Sequence, residues 1–549
     1  MPPTVSGKLP RERGWTRSPG PFPARSTIPS PSRAGSRRDA PLSAESAAVV
    51  DLGSNTARVL IARRGAGAHV EVVDELDRRL ALARRLDESG RLPPEALDAV
   101  VEAIADFRAV AEGAGARGVR VVGTAAVREA RNGPALAKRV AELDVALEVA
   151  DAPLEGRYAF LGAVYGMPVS SGVLVDLGGG SLDLVRFRDR VLVDTATLPL
   201  GTLRAQARFL ASDPPTDEEA QALYEWTRKA VRAAGFRRLG KGEALVVTGG
   251  AARNLAKIDR ARRPRYPVAV LHGYELRRAR LRAATESLRS LGSRAGSVPG
   301  LNPERADTIV AGALVLSAVA DALRTKRLLI SGQGLREGVL RDGLGEALPS
   351  PAQVREDSVE TLLARFRLAD PGRPGRRRDL ALAIAAGVDA GLGAALGESL
   401  GHAARLLDVG AAIGFYNRHR SAAELAVESD LGGFSHRSLA EVAALLRVAE
   451  KPAWRIRQLA PLLRAADEAP LRRGAAVLAL ADELLRREPP RSRRSPADLV
   501  SVRDSVLRVR PAGGRAWPPG VISERVREHL GVGLTVVEAG DERRRAERS

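Results

Sequence analysis

The sequence has no cysteine in 549 residues, which excludes a disulfide framework, a thiolate metal site and a cysteine nucleophile. No run approaches the roughly 20 apolar residues that a membrane helix needs. The opening MPPTVSGKLPRERGW lacks the apolar core of a secretory signal. A soluble cytoplasmic protein is expected, with neither membrane nor nucleic acid as partner. Negative charge is also in deficit: 86 Lys and Arg face 66 Asp and Glu, a formal net charge of +20. That balance admits a polyanionic partner, because clustered basic groups concentrate phosphates and release their counterions. Most of it is arginine in an Ala-, Gly- and Pro-rich chain, which also reads as the codon bias of a GC-rich genome.

The length predicts about three or four domains, at roughly 100–200 residues each. Residues 1–44 carry nine prolines among Ser and Arg, with almost nothing apolar to bury; they read as a disordered basic arm or as sequence upstream of the true start. From Ala47 the pattern becomes strand, turn, strand in AVVDLGSNTARVLIAR. A second copy, GVLVDLGGGSLDLVRF, repeats the order and shares VDLG, with Asp51 in the first and Asp176 in the second. Such repetition predicts two related halves. Between them Leu97, Val100, Val101, Ile104, Phe107 and Val110 recur at helical spacing before Gly113. The expected core is α/β, in halves at 45–168 and 169–345. Amphipathic helices such as SVETLLARF and GAAVLALADELLRR predict an all-α domain over 346–500, and 501–549 reads as a small appendage with a charged tail.

A strand that ends in Asp-x-Gly and turns through Gly, Ser or Asn presents successive N–H groups to an anion. Gly53, Ser54, Asn55 and Thr56 form one such turn, Gly179, Gly180 and Ser181 a second, and Thr248, Gly249 and Gly250 a third. A single turn of this kind is an ordinary hairpin; three facing one cleft point to phosphates. Arg128, after GTAAV, brings a guanidinium able to grip two phosphate oxygens, or is simply a surface arginine. Asp176 and Asp183 flank GGGSL and are candidates to hold Mg²⁺, which keeps several waters and needs only one or two carboxylates. Asp183 otherwise just ends a strand face. Glu155, in LEGRYAFLGAVYG, begins a probable helix; there a carboxylate deprotonates a water or merely favours the helix dipole.

In order, VVDLGSNT, VVGTAAVREARN, LEGRYAFLGAVYG, VDLGGGSLDL, LPLGTLR, VVTGGAARNLAK, NPERADTIVAGALVL and ISGQGLREGVL run across residues 47–345. This set resembles the exopolyphosphatase and guanosine pentaphosphate phosphohydrolase (Ppx/GppA) family of the actin-like, sugar kinase and Hsp70 ATPase superfamily. The resemblance implies a duplicated actin-like (ribonuclease H-like) core around a phosphate cleft. It implies Glu155 as catalytic base, Asp176 and Asp183 as Mg²⁺ ligands, and the three turns with Arg128 as phosphate contacts. The implied reaction removes the terminal phosphate of inorganic polyphosphate. The same chemistry on guanosine pentaphosphate (pppGpp), a non-catalytic polyphosphate or alarmone sensor, and a kinase of the superfamily are the alternatives. A homodimer is implied too. Three positions depart from the family pattern: Asp183 stands where Glu is usual, Ala125 where Ser is, and Ala251 where Thr is. Weaker binding is expected from the lost hydroxyls. Through IGFYNRHRSAAELAVESDLGGFSHR the helical part is similar to the HD-like domain of the family's longer members. Where an HD site has a His-Asp pair, this chain has Leu407 and Asp408. The domain is therefore expected to be structural, or a wall that continues a basic substrate channel, and His402, His419 and His436 to be packing or surface residues.

Overall fold

The computed structural model describes residues 46–343, 347–512 and 520–537. The basic arm and the charged tail expected at the two ends lie outside them.

The first sheet is built from β1 (Ser46–Leu52), β2 (Thr56–Arg64), β3 (Val70–Arg79), β4 (Ala116–Gly123) and β5 (Leu147–Val149), in the order β3-β2-β1-β4-β5. The hairpin is antiparallel and β4 returns parallel to β1. A parallel return needs a crossover, supplied by helix Pro94–Gly113, which buries Leu97, Val100, Ile104 and Phe107. Each such side chain stabilises the fold by about 1.5–3 kcal/mol.

The second sheet repeats the plan. It contains β6 (Gly172–Leu177), β7 (Leu182–Arg188), β8 (Val191–Leu198), β9 (Ala244–Thr248), β10 (Tyr274–Arg277) and β11 (Arg327–Ile330), in the order β10-β11-β9-β6-β7-β8. Again a strand pairs antiparallel with the next strand and parallel with one that follows a helical crossover. The repeated VDLG therefore marks the central strand of each sheet, ending at the same edge.

Helix Ala152–Tyr165 lies between the sheets and is buried almost all round from Gly156 to Tyr165. Helix Leu335–Leu340 packs on it so closely that a Cβ at Gly162 would stand 1.7 Å from the Gly334 carbonyl oxygen. Only glycine permits that approach.

Residues from Pro351 to Leu499 form helices around one apolar core. They dock on the lobes through Gly433 N–H to Gly166 O (2.8 Å), Ala269 N–H to Val427 O (3.0 Å) and Ala66 N–H to Thr361 Oγ1 (2.9 Å). His436 joins this seam, its Nε2 2.9 Å from His272 O and its Nδ1 2.7 Å from Tyr266 Oη. A last sheet, β12 (Val500–Arg503), β13 (Val506–Val509) and β14 (Gly533–Val536), is covered by helix Gly520–Leu530. The sequence pattern reads this segment as a separate appendage. Its Leu507, Val509 and Val526 belong to the same apolar cluster as the helices.

Candidate active site

The cleft opens where the central strands of both sheets end. In β1 the turn after Leu52 is closed by Gly53 N–H to Thr56 O at 3.2 Å, and the carbonyls of Ser54 and Asn55 are held by Ala83, Leu80 and Ala81 N–H groups. The second turn mirrors it, with Gly178 N–H to Ser181 O at 3.1 Å, and Thr202 and Leu203 N–H groups on the Gly178 and Gly179 carbonyls. Among the described residues the N–H groups of Ser54, Asn55, Gly179 and Gly180 have no protein acceptor, which makes both turns anion-binding concavities. The third turn ends β9 at Thr248, whose Oγ1 donates to Gln333 O at 2.8 Å. Gly249 follows at φ 104°, where a Cβ would meet Leu177 O at 2.3 Å. It launches helix Gly250–Ala261, whose N-terminus opens on the cleft.

Glu155 reaches the same cleft in the first turn of helix Ala152–Tyr165, capped by Asp151, which accepts from Leu154 N–H at 2.8 Å. Arg128 Nη1 donates to Glu155 Oε2 and to Ala150 O, both at 2.7 Å. Burial foremost, then the nearby Asp183 charge, pushes the Glu155 carboxyl up to about 8 against the pull of Arg128. Asp176 and Asp183 are direct cross-strand partners in the β6–β7 hairpin. Burial, then Asp183, raises Asp176 to about 7. Burial raises Asp183 as well, although it accepts from Ser181 Oγ (2.8 Å) and Thr197 Oγ1 (2.6 Å).

The cavity thus brings together Gly53, Ser54, Asn55, Thr56, Glu155, Asp176, Gly179, Gly180, Ser181, Asp183, Gly249 and Gly250. Arg128 is not part of its lining; its guanidinium lies on Glu155 instead. Ser181 enters through its backbone, its hydroxyl being committed to Asp183. The lining ends at Glu337, so the helical region contributes no wall to this cavity.

Further lining residues escape the sequence reading: Asp51, Arg58, Arg253, Arg305, Arg336 and Glu337. Asp51 was visible as the twin of Asp176, and burial raises its pKa too. The arginines were hidden among many others. Asp51 stands opposite Arg58 in the first hairpin, at the positions where the second hairpin sets Asp176 opposite Asp183. Arg58 and Arg305 make no ion pair or side-chain hydrogen bond among the described residues. Burial and the neighbouring Arg58 depress Arg305, and burial with Arg58 and Arg336 lowers Arg253 to about 10.

The cleft therefore sets carboxylates that gain from a cation beside guanidiniums that gain from an anion, with Asp51 opposite Arg58 and Arg253 acting on both Asp51 and Asp176. Among the described residues Asn55 Oδ1 is buried without a partner, and Asp176 lies beside it in the cavity lining. These all-oxygen donors suit a hard divalent cation. No three Asp, Glu or His side chains among the described residues converge on one metal position.

A duplicated actin-like core whose turns, acids and arginines face one cleft in this way defines a phosphate-handling hydrolase. The chain belongs to the Ppx/GppA phosphatase family, whose model matches residues 60–347. It is 30% identical over 318 residues to "Exopolyphosphatase 1" of Mycobacterium leprae, covering 57% of this chain and 94% of that one. With "Exopolyphosphatase 2" of Mycobacterium tuberculosis it shares 29% identity over 315 residues, covering 53% and 96%. The crystal structure of an exopolyphosphatase from Cytophaga hutchinsonii superposes with a TM-score of 0.50 at 22% identity, over 55% of this chain and all of the other (100%), a likeness of fold.

Proposed function

We propose that the protein is an exopolyphosphatase that hydrolyses the terminal phosphoanhydride of inorganic polyphosphate and releases orthophosphate. The observation that carries this is Glu155, a carboxylate raised to about 8 that faces Asp176 and Asp183 between the anion-binding turns. The names of the relatives above support the substrate class. The turns at 53–56, 179–181 and 249–250 hold the terminal phosphate, and Arg58, Arg253, Arg305 and Arg336 neutralise the units behind it. Glu155 takes a proton from a water as its oxygen bonds to the terminal phosphorus, and the shortened chain leaves with the bridging oxygen. Arg128 fixes the Glu155 carboxylate rather than gripping phosphate. Asp176 and Asp183 would hold Mg²⁺, with Asp51 and Asn55 beside them; when bound it supplies positive charge to the transferring phosphoryl oxygens. Among the described residues the cleft lining is mostly polar and charged, without an aromatic ring, a composition that suits polyphosphate.

The same proposal divides the chain into lobes at 45–168 and 169–345 and a structural, HD-like domain at 346–500. In that domain Arg377, fully buried, bridges Asp408 (2.8 Å) and Asp482 (3.0 Å), a cation already in place between the acids. His402 stacks edge-on against Phe434. A cytoplasmic homodimer completes the proposal, to be checked by sedimentation. No helix among the described residues is long and apolar enough to cross a membrane.

Phosphate release from long-chain polyphosphate with Mg²⁺ tests the function, beside Glu155→Gln and beside guanosine pentaphosphate. Release that the variant lacks is expected. Release from the nucleotide alone reassigns the substrate, and binding without release from either makes the protein a sensor.

A further inference from the structure

The two lobes touch beside the anion-binding turns through charged side chains that the proposed reaction does not use. On one flank, Arg79 and Arg84 belong to the segment whose N–H groups hold the Ser54 and Asn55 carbonyls. Both face Asp307 of the other lobe: Arg84 Nη2 donates to its Oδ2, and Arg79 Nη2 lies 3.9 Å away. On the opposite flank Arg204, one residue beyond the Leu203 that binds the Gly179 carbonyl, pairs with Glu129, which adjoins Arg128. Each carboxylate thus holds a guanidinium rooted in the other lobe, and each guanidinium is rooted beside an anion-binding turn. Asp307 also lies within the field of Arg305 in the cavity wall. In the free protein an acid occupies the place a phosphate unit would take between Arg79 and Arg84.

We propose that Asp307 and Glu129 are specificity-determining gate residues, stand-ins for phosphate that a long polyphosphate chain must displace from Arg79, Arg84 and Arg204. This rests on the polyphosphate reading of the cleft. A short phosphate chain fills the turns and the inner arginines and leaves the gate untouched. A long chain continues past them to the outer arginines, taking their partners' place. The pairs suit such exchange because they are exposed, with side chains 37–48% accessible. Exposed pairs are held weakly and are screened by salt.

The test is calorimetric titration of the full chain, in a Glu155→Gln background that prevents turnover, with long-chain polyphosphate and with inorganic triphosphate. Asp307→Asn and Glu129→Gln should each tighten long-chain binding about two- to fivefold; Glu129→Gln should leave triphosphate unchanged, and Asp307→Asn should tighten it less than the long chain, through Arg305 alone. Arg84→Gln should loosen the long chain alone. Asp98→Asn, which breaks the exposed pair with Arg139 on the outer helices, makes the same charge change and should alter neither ligand. Equal tightening for both ligands, tightening by Asp98→Asn, no tightening, or no binding of the long chain overturns the gate. Failure of the functional reading shows separately, as absent phosphate release by the unmutated protein.

Discussion

Asp183 faces Asp176 directly across the β6–β7 hairpin, whereas the equivalent pair in the first hairpin is Asp51 and Arg58. Two ionised carboxylates in register repel, and burial adds to their cost. Asp176, at about 7 in the folded protein against 3.8 in the unfolded chain, binds more protons when folded. Its contribution to stability therefore falls as pH rises from about 4 to about 7 and stays low above that. Asp176→Asn should stabilise the chelator-treated protein at pH 8 by about 1–3 kcal/mol, with a smaller gain at pH 5. It should also abolish the stabilisation by Mg²⁺. Thermal unfolding at the two pH values, with and without Mg²⁺, checks both.

The Arg128 to Glu155 hydrogen bond opposes the rise that burial and Asp183 impose on the proposed base. A base works deprotonated, so turnover should climb with pH through the Glu155 ionisation. Arg128→Gln removes the group that holds this carboxyl down and should move the acid limb of kcat against pH to higher pH. A limb unmoved by the substitution assigns the ionisation elsewhere. Glu155→Gln should lose on the order of 10²–10⁴ in kcat, with substrate binding retained in equilibrium titration.

Gly249 holds φ 104° with no room for a side chain. Gly249→Ala must shift the third turn away from Leu177, so weaker polyphosphate binding and about 2 kcal/mol or more of lost stability are expected. Urea denaturation and a binding titration on the same sample measure the two effects.

In the helical region Arg377→Ala takes its guanidinium from the half-buried Asp408 and the buried Asp482, the latter left with Arg418 at 2.9 Å, Arg486 at 3.5 Å and Arg373 at 4.0 Å. Removing one partner of a buried pair costs about 3–5 kcal/mol. The urea midpoint should fall accordingly, and metal bound per chain should stay unchanged, since this network holds a guanidinium rather than an ion.

The sequence by itself determined what neighbours along the chain decide. Alternating apolar residues around Gly-rich turns specify both hairpins, helical spacing specifies the crossover Pro94–Gly113, and the repeated VDLG exposes the duplication. The opposition of Asp176 and Asp183 follows from one short hairpin and is equally local.

Tertiary structure alone decided the rest. Arg128 lies on Glu155 because the β4 turn and the helix after β5 meet at the sheet edge, whereas its sequence context points to a phosphate contact or a surface arginine. Arg58, Arg253, Arg305 and Arg336 are ordinary members of an arginine-rich chain until two lobes set them around one cavity. The β12–β14 sheet looked separate until its apolar face met the helical core. Turns and periodicity depend on steric limits between adjacent residues. Which charges share a low-dielectric cleft depends on contacts hundreds of residues apart, and no local pattern encodes those.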